Sequence, residues 1–156
     1  MPVIVDLQDW PRVLAERLRA DTEIARRAAI EAAQRAVADA VRLTNEAGAV
    51  DQGFYKASWS AVAVRGGAEV GNSAPYAAVI EYGRRPGRPG PPLAPILAWV
   101  QRKLGVRGAD AYPIALAIRQ RIHDRGTKPR RVLYKALVPL RANFTAALRR
   151  ELGRRR

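Results

Sequence analysis

The chain has 156 residues, of which 48% are hydrophobic and 27% are charged, a composition typical of a folded domain rather than of a disordered chain. It contains no cysteine and one histidine. These counts exclude a disulfide scaffold, a thiolate metal site and a multi-histidine metal site, and they leave little for general-base chemistry. Because no stretch approaches about 18 uninterrupted apolar residues, we expect no membrane span. The N-terminus has no basic residue before its short apolar run, so we do not expect a secretory signal.

The charge is large and unevenly distributed. Lys and Arg number 28 against 14 Asp and Glu, a formal net charge of +14. Residues 1–83 carry 9 basic and 11 acidic side chains, whereas residues 84–156 carry 19 basic and 3 acidic ones. Arginine supplies 24 of the 28 cations, and its planar guanidinium pairs well with phosphate and carboxylate. The second half therefore predicts an acidic partner, either a nucleic acid or a negatively charged protein surface.

The first predicted element is a long alanine-rich helix over residues 9–47. Asp9 is a candidate N-cap, Pro11 suits the first turn, and Gly48 marks the end. Asp21 and Thr22 form a point at which the helix could restart with a second cap. The apolar residues expected on one face are Ile30, Ala33, Val37 and Val41.

A hairpin and a short helix are predicted next. Residues 58–65 alternate in the manner of a strand, Gly66 and Gly67 suit a two-residue turn, and residues 68–71 can return as the partner strand. Residues 75–82 then predict a short helix, with Asn72 or Ser73 as its cap and Gly83 as its end.

The second half predicts helices separated by two basic loops. Residues 84–92 combine three arginines with four prolines and two glycines, which predicts an extended, polyproline-like loop. Residues 126–131 form the second basic loop. Between the loops lie two predicted amphipathic helices, one opened by Pro92 and closed by Gly105, and one capped by Asp110 and closed by Gly126. Their apolar faces are Leu93, Ile96, Leu97, Val100 and Leu104 in the first, and Ile114, Ile118 and Ile122 in the second.

The last predicted helix covers residues 132–152, and Pro139 should kink or divide it. The basic tail, residues 153–156, is expected to be mobile. The predicted class is therefore α+β, a single domain over residues 1–156. It has an N-terminal helix (1–48), a small antiparallel sheet with its basic loop (50–92) and two to three C-terminal helices packed on the sheet (93–152).

The sequence offers little for catalysis. His123 stands beside Asp124, and Ser58, Ser60 and Ser73 are distant, but no nucleophile motif and no glycine-rich phosphate loop is present. His123 is best interpreted as a solvated residue near a helix end. Three carboxylates in the second half are too few for a two-metal nuclease site there. We therefore predict no catalytic residue, no metal and no cofactor, and we expect Trp59 and Trp99 to be core residues.

A binding surface is the stronger hypothesis. The basic loops and the arginine-lined helix could grip phosphates, contact carboxylates of a neighbouring subunit, or lie free in solvent. Neither loop contains an aromatic residue, the usual companion of single-strand binding. The residues that we predict at an interface are Arg84, Arg85, Arg88, Arg119, Arg121, Lys128, Arg130 and Arg131, together with Tyr76, Glu81 and Tyr82.

Four blocks of sequence, in order, resemble tail-completion and neck proteins of tailed bacteriophages. VDQGFYKAS (residues 50–58) is similar to their V-D-T-G-x-L-x-x-S opening, with Gln52 and Tyr55 as departures. NSAPYAAVIEYG (residues 72–83) is similar to their apYA…vE[FY]G block. PPLAPILAWVQRKLG and AIRQRIHDRGTKPRRVL resemble two further blocks, so that the resemblance spans residues 50–133.

The resemblance implies a non-catalytic virion protein of a double-stranded DNA phage, at the head–tail junction or the top of the tail. It implies a homo-oligomer, most often a six-membered ring, that contacts neck, connector and tail-tube proteins and allows non-specific contact with genomic DNA. Assembly would take place in the host cytoplasm, without a membrane partner. The alternatives are a sequence-independent nucleic-acid-binding module that uses the arginine-rich half, and, third, a toxin-like ribonuclease.

Overall fold

The computed structural model describes residues 10–49, 51–65 and 67–154. Its first half consists of helix α1 (Trp10–Glu46), a single turn α2 (Phe54–Ala57), an antiparallel hairpin of β1 (Trp59–Val64) and β2 (Gly67–Asn72), and helix α3 (Ala77–Tyr82). Its second half consists of α4 (Leu93–Trp99) with a π-helical extension (Val100–Leu104), a 3-10 turn (Gly108–Asp110), α5 (Ala111–Arg125), α6 (Val132–Leu137) and α7 (Leu140–Gly153). The predicted α+β class is confirmed.

Helix α1 is the support on which the hairpin, α6 and α7 pack. One stripe of small residues at a spacing of four is buried along it: Ile24, Ala28, Ala32, Ala36, Ala40 and Thr44. A residue every fourth position forms a ridge along a helix, and alanine in that ridge lets a neighbouring element approach closely. The predicted face (Ile30, Ala33, Val37 and Val41) was only partly right. Ala33 is buried, but the other three are half-buried beside the stripe rather than at its centre.

The main core lies between α1, the hairpin and α6. It contains Ala40, Tyr55, Trp59, Val132 and Ala136. The Trp59 indole Nε1 donates to Thr44 Oγ1 at 3.0 Å, and the Thr44 hydroxyl donates to the Ala40 carbonyl at 2.7 Å. Both buried polar groups are thereby satisfied, as a low-dielectric core requires. The prediction of Trp59 as a core residue is confirmed.

A second, smaller core joins α4 to α5. Its buried members are Ile96, Val100, Ala111 and Ala115. The predicted apolar faces of these helices supply it, except that Leu104, at the end of the π-helical extension, is half exposed. Trp99 is 37% exposed, so the expectation that it belongs to the core was wrong. The first basic loop leads into α4 of this pair, and the second basic loop follows α5.

Several local predictions are corrected. Helix α1 continues through Asp21 and Thr22, because residues that can cap a helix permit a start without forcing one. Helix α3 begins at Ala77, with Tyr76 at its N-cap position, and the Asn72 side chain instead accepts from the Ala74 N–H in the preceding turn at 3.0 Å. The predicted Asp9 cap, Gly66 in the hairpin turn and residues 155 and 156 of the tail lie outside the described residues.

Pro139 divides the last helix, as predicted: α6 ends at Leu137 and α7 begins at Leu140. Proline lacks an N–H and its ring collides with the preceding turn, so one continuous helix is excluded there. Among residues 10–49, 51–65 and 67–154, no helix combines the length and the apolar character that crossing a membrane requires.

Candidate interface on two paired basic loops

The two basic loops lie side by side, although 42 positions separate the residues that join them. The Arg84 N–H donates to the Thr127 carbonyl at 3.0 Å, and the Thr127 N–H donates to the Arg84 carbonyl at 2.9 Å, as in a single antiparallel bridge. The sequence predicted both loops but not their pairing. The expected extended, polyproline-like conformation of residues 84–92 was wrong at its centre, because residues 86 and 87 form a turn in which Gly87 has φ 75°. We call residues 84–92 and 126–131 together the double loop.

Two glycines permit this close approach. Gly83 has φ 73° and ψ −172°, and Gly126 has φ 65° and ψ −161°, a region of backbone space that is nearly restricted to glycine. A Cβ on Gly83 would lie 2.8 Å from Pro129 N, and one on Gly126 would lie 3.0 Å from Pro86 N and closer still to the Arg84 carbonyl. Each loop therefore begins at a glycine whose missing side chain makes room for the other loop.

Helix α5 packs against the first loop and holds it by hydrogen bonds. The Gly87 N–H donates to the His123 carbonyl at 2.8 Å, and His123 Nδ1 donates to the Arg88 carbonyl at 2.9 Å. Gly90 lies against the aliphatic part of Arg119, where a Cβ would lie 2.8 Å from Cγ. His123 was predicted to be solvated, but it is half-buried and fixes the loop.

Glu81 fixes the second loop and the helix that follows it. Its carboxylate accepts from the N–H groups of Leu133 at 2.9 Å and Tyr134 at 3.0 Å, which cap the start of α6. The Glu81 side chain is 8% exposed. Its predicted place at an interface is therefore corrected: it joins two parts of the same chain. The nearby backbone adds bonds from Arg130 N–H to the Ile80 carbonyl and from Arg131 N–H to the Glu81 carbonyl, at 2.8 and 3.2 Å.

The cations of the double loop have no carboxylate partner within the described residues. Arg85, Arg88, Lys128, Arg130 and Arg131 are exposed, and Arg84 is half-buried with its guanidinium donating to the Pro89 carbonyl. Arg119 and Arg121 on α5 are also exposed, but they stand two positions apart, so only Arg119 lies against the double loop. No ion pair of the described residues involves any of the eight predicted cations.

Arginines of α1, unlike the cations of the double loop, form ion pairs within the chain. Arg35 pairs with Glu31 at 3.0 Å, and Arg42 pairs with Glu46 at 2.7 Å and Asp39 at 3.2 Å. Carboxylates one turn away thus neutralise the first half of the chain internally. Residues 84–131, in contrast, carry twelve basic and two acidic side chains. The double loop is therefore a fixed cationic surface with no carboxylate partner among the described residues, and it is suited to an anionic partner.

The two predicted tyrosines lie apart. Tyr82 ends α3 beside the double loop and is 78% exposed. Tyr76 is 44% exposed, and its ring centre lies 6.3 Å from that of Phe54 and 6.2 Å from that of Tyr55. The structure therefore groups Tyr82 with the predicted cations and assigns Tyr76 to a second surface.

That second surface is a cleft of about 590 Å³ between the α1–α2 connection and α4. We call it the aromatic cleft, and its main walls are Asp51, Phe54, Tyr76, Pro95, Trp99 and Arg102. The Arg102 guanidinium donates to the Asp51 carboxylate across it. Phe54 and this ion pair were not predicted as parts of a site, and Trp99 was predicted in the core. Trp99 is not one of the residues spaced along the predicted apolar face of α4, and this could have indicated that its side chain is exposed.

The described residues include no cluster of side chains suited to holding a catalytic metal ion. Among the described residues, no three His, Asp or Glu side chains are close enough together to hold a metal ion. Burial, assisted by the nearby Glu81 charge, raises the pKa of Tyr55 to about 12. A protonated, buried phenol of this kind is a core residue rather than a general base.

Comparison with known proteins finds one similarity, to a phage family. Residues 12–83 match the family model described as "Bacteriophage HK97-gp10, putative tail-component". Comparison with curated proteins and with solved structures gave no match. The match includes α1 and the blocks at residues 50–58 and 72–83, and it ends where the double loop begins, so the two downstream blocks stay predictions. It supports a structural role in a phage tail. The expected resemblance is confirmed where the match overlaps it, at residues 50–83, and residues 12–83 are similar to the HK97-gp10-like family of putative phage tail components.

Proposed function

We propose that this chain is a non-catalytic structural protein of the virion that forms a ring at the head–tail junction or the top of the tail. In this position it joins the tail tube to the connector and leaves a passage for DNA. The match of residues 12–83 to a tail-component family supports the virion and tail assignment. In this proposal the ring contains six copies and contacts neck, connector and tail-tube proteins. It assembles in the host cytoplasm.

The observation that carries the proposal is the rigid double loop with its unpaired cations. A surface that is fixed by backbone bonds before binding loses little conformational entropy when a partner docks. Its charge fits an anionic surface on a neighbouring copy or on an adjacent ring. A contact between two different surfaces is heterologous, and repetition around a closed ring strengthens it through multivalency.

Charge reversal tests the proposed contact. We expect the triple variant Arg84→Glu, Arg85→Glu, Arg88→Glu to keep the wild-type circular dichroism spectrum but to fail to join heads to tails in extracts that lack the chain. The matched control changes three exposed arginines that have no ion pair in the described residues, Arg65, Arg107 and Arg149, to glutamate. Both variants change the net charge equally. Equal joining by both variants would show that the double loop is not the contact surface.

The same unpaired cations favour a second candidate, sequence-independent binding of nucleic acid. Phosphate contacts release counterions, so affinity that depends on six to ten of them falls by about 10³–10⁵ between 50 and 200 mM salt. A filter-binding titration of duplex DNA over that range separates the candidates. A steep loss that the triple glutamate variant abolishes supports phosphate binding. Weak binding without salt dependence excludes it and leaves an acidic protein surface as the partner.

A further inference from the structure

Three exposed aromatic rings line the aromatic cleft. Phe54 is 55% exposed, Tyr76 is 44% exposed and Trp99 is 37% exposed, although each is an apolar ring that burial would stabilise. Exposed apolar residues that gather around one cavity are typical of a binding surface, and aromatic residues supply most of the energy at such surfaces. The cleft volume of about 590 Å³ falls in the range of pockets that hold a short ligand segment.

The chemistry of the cleft fits a proline-rich, basic peptide. Grooves lined by aromatic rings bind proline residues, since a proline ring packs flat on an aromatic face and its backbone φ is already fixed. The Asp51 carboxylate offers an acceptor for an incoming arginine, beside its present partner Arg102. The Asp51–Arg102 pair leaves the cleft walls without an excess of positive charge. A single-stranded nucleic acid could stack its bases on the rings, but its phosphates would gain little attraction there.

The chain itself carries such a segment at the tip of the double loop. Pro86 and Pro89 are exposed, stand three positions apart and alternate with the exposed Arg85 and Arg88. The Gly87 and Arg88 backbone is bonded to His123, so the tip is held in one conformation before it meets a partner. We call residues 85–89 the proline tip.

We propose that the proline tip of one copy binds in the aromatic cleft of the next copy. Pro86 and Pro89 pack on the exposed rings, and Arg85 or Arg88 joins the Asp51 carboxylate. Tip and cleft are different surfaces, so each copy uses its tip on one side and its cleft on the other, an arrangement that closes into a ring. The inference rests on the proposed ring and specifies the contact that builds it.

A synthetic peptide tests the cleft directly. Calorimetric titration of the full chain with the peptide RRPGRPGPP, residues 84–92, should show binding that Trp99→Ala weakens at least tenfold, because a buried aromatic anchor contributes that much. A peptide with alanine in place of Pro86 and Pro89 should lose a similar factor. Tyr112→Ala removes an equally exposed ring that does not line the cleft and should leave the affinity unchanged. Equal affinity in all arms, or displacement of the peptide by oligothymidylate, would overturn the proposal.

Mixing two variants tests the head-to-tail arrangement. Trp99→Ala keeps its tip and loses its cleft, whereas the double variant Pro86→Ala, Pro89→Ala keeps its cleft and loses its tip. In sedimentation velocity each variant alone should stay monomeric, and a mixture should form a dimer and nothing larger. Circular dichroism melting confirms that both variants are folded.

Rings from either variant alone, or no dimer in the mixture, would contradict the contact. Such rings would still support the proposed virion function, which fails separately if the wild-type chain is absent from purified virions.

Discussion

Gly126→Ala is the sharpest perturbation of the double loop. The substitution places a methyl group on a residue with φ 65° and ψ −161°, against the Arg84 carbonyl and 3.0 Å from Pro86 N. Holding a non-glycine residue in this region costs about 1–3 kcal/mol. Separation of the loops to relieve the contact would break the two Arg84–Thr127 hydrogen bonds, each worth about 1 kcal/mol. We therefore expect the free energy of unfolding to fall by about 3–5 kcal/mol.

Urea denaturation measures the loss, and hydrogen exchange locates it. In the variant, the amides of Arg84 and Thr127 should exchange faster, since each donates across the bridge. The matched control is Gly153→Ala at the end of α7, where φ is not positive and no atom lies within 4 Å of the added Cβ. There alanine should be neutral or stabilise by up to about 1 kcal/mol, because it is the better helix former.

A loss below about 0.5 kcal/mol for Gly126→Ala, within the range of an ordinary surface substitution, would refute the reasoning. It would mean that the two loops are not held together by close backbone approach. The preorganised cationic surface, on which the proposed function depends, would then have no structural basis.

Three further predictions concern the core. Glu81→Gln should lower the free energy of unfolding by about 1–3 kcal/mol, because the buried carboxylate accepts hydrogen bonds from two α6 amides. The control is Glu69→Gln at an exposed position of β2, and an equal loss of stability in that variant would contradict the prediction. Ala36→Leu should cost at least about 1–3 kcal/mol through overpacking, whereas Ala38→Leu on the exposed face should not. Because the Tyr55 pKa is raised from 10.0 to about 12, its stabilising effect is present below pH 10 and is lost as the pH rises to 12; Tyr55→Phe should show a smaller loss over that interval in thermal melts.

The helices and their ends could be predicted because they depend on local sequence. Pro139 cannot continue a helix, and Gly83 and Gly126 each leave the helical conformation at the expected position. The hairpin also follows from local alternation, although Gly67, which was predicted in the turn, lies in β2 and pairs with Val64. The exact buried stripe of α1 could not be deduced, since in an alanine-rich helix several faces are similarly apolar and the packing of α7 and β2 decides among them.

The positive charge of the candidate site could be predicted from the sequence, but the arrangement of its two loops could not. The arginines of the two loops stand out by composition alone, but their pairing depends on how α3 and α5 end beside one another. Glu81 was assigned to an interface because the resemblance singled it out. Glu81 is buried because its carboxylate accepts from the Leu133 N–H at the start of α6. These two residues are 52 positions apart, and no local pattern indicates such a contact. The aromatic cleft likewise arises where α4 meets the α1–α2 connection.

Gold labelling of intact virions locates the chain in the particle. Virions assembled with a tagged copy of the chain, labelled with gold and imaged by electron microscopy, should carry the label at the junction between head and tail. Label along the capsid, label at the distal tail tip, or virions that contain none of the chain would contradict the account.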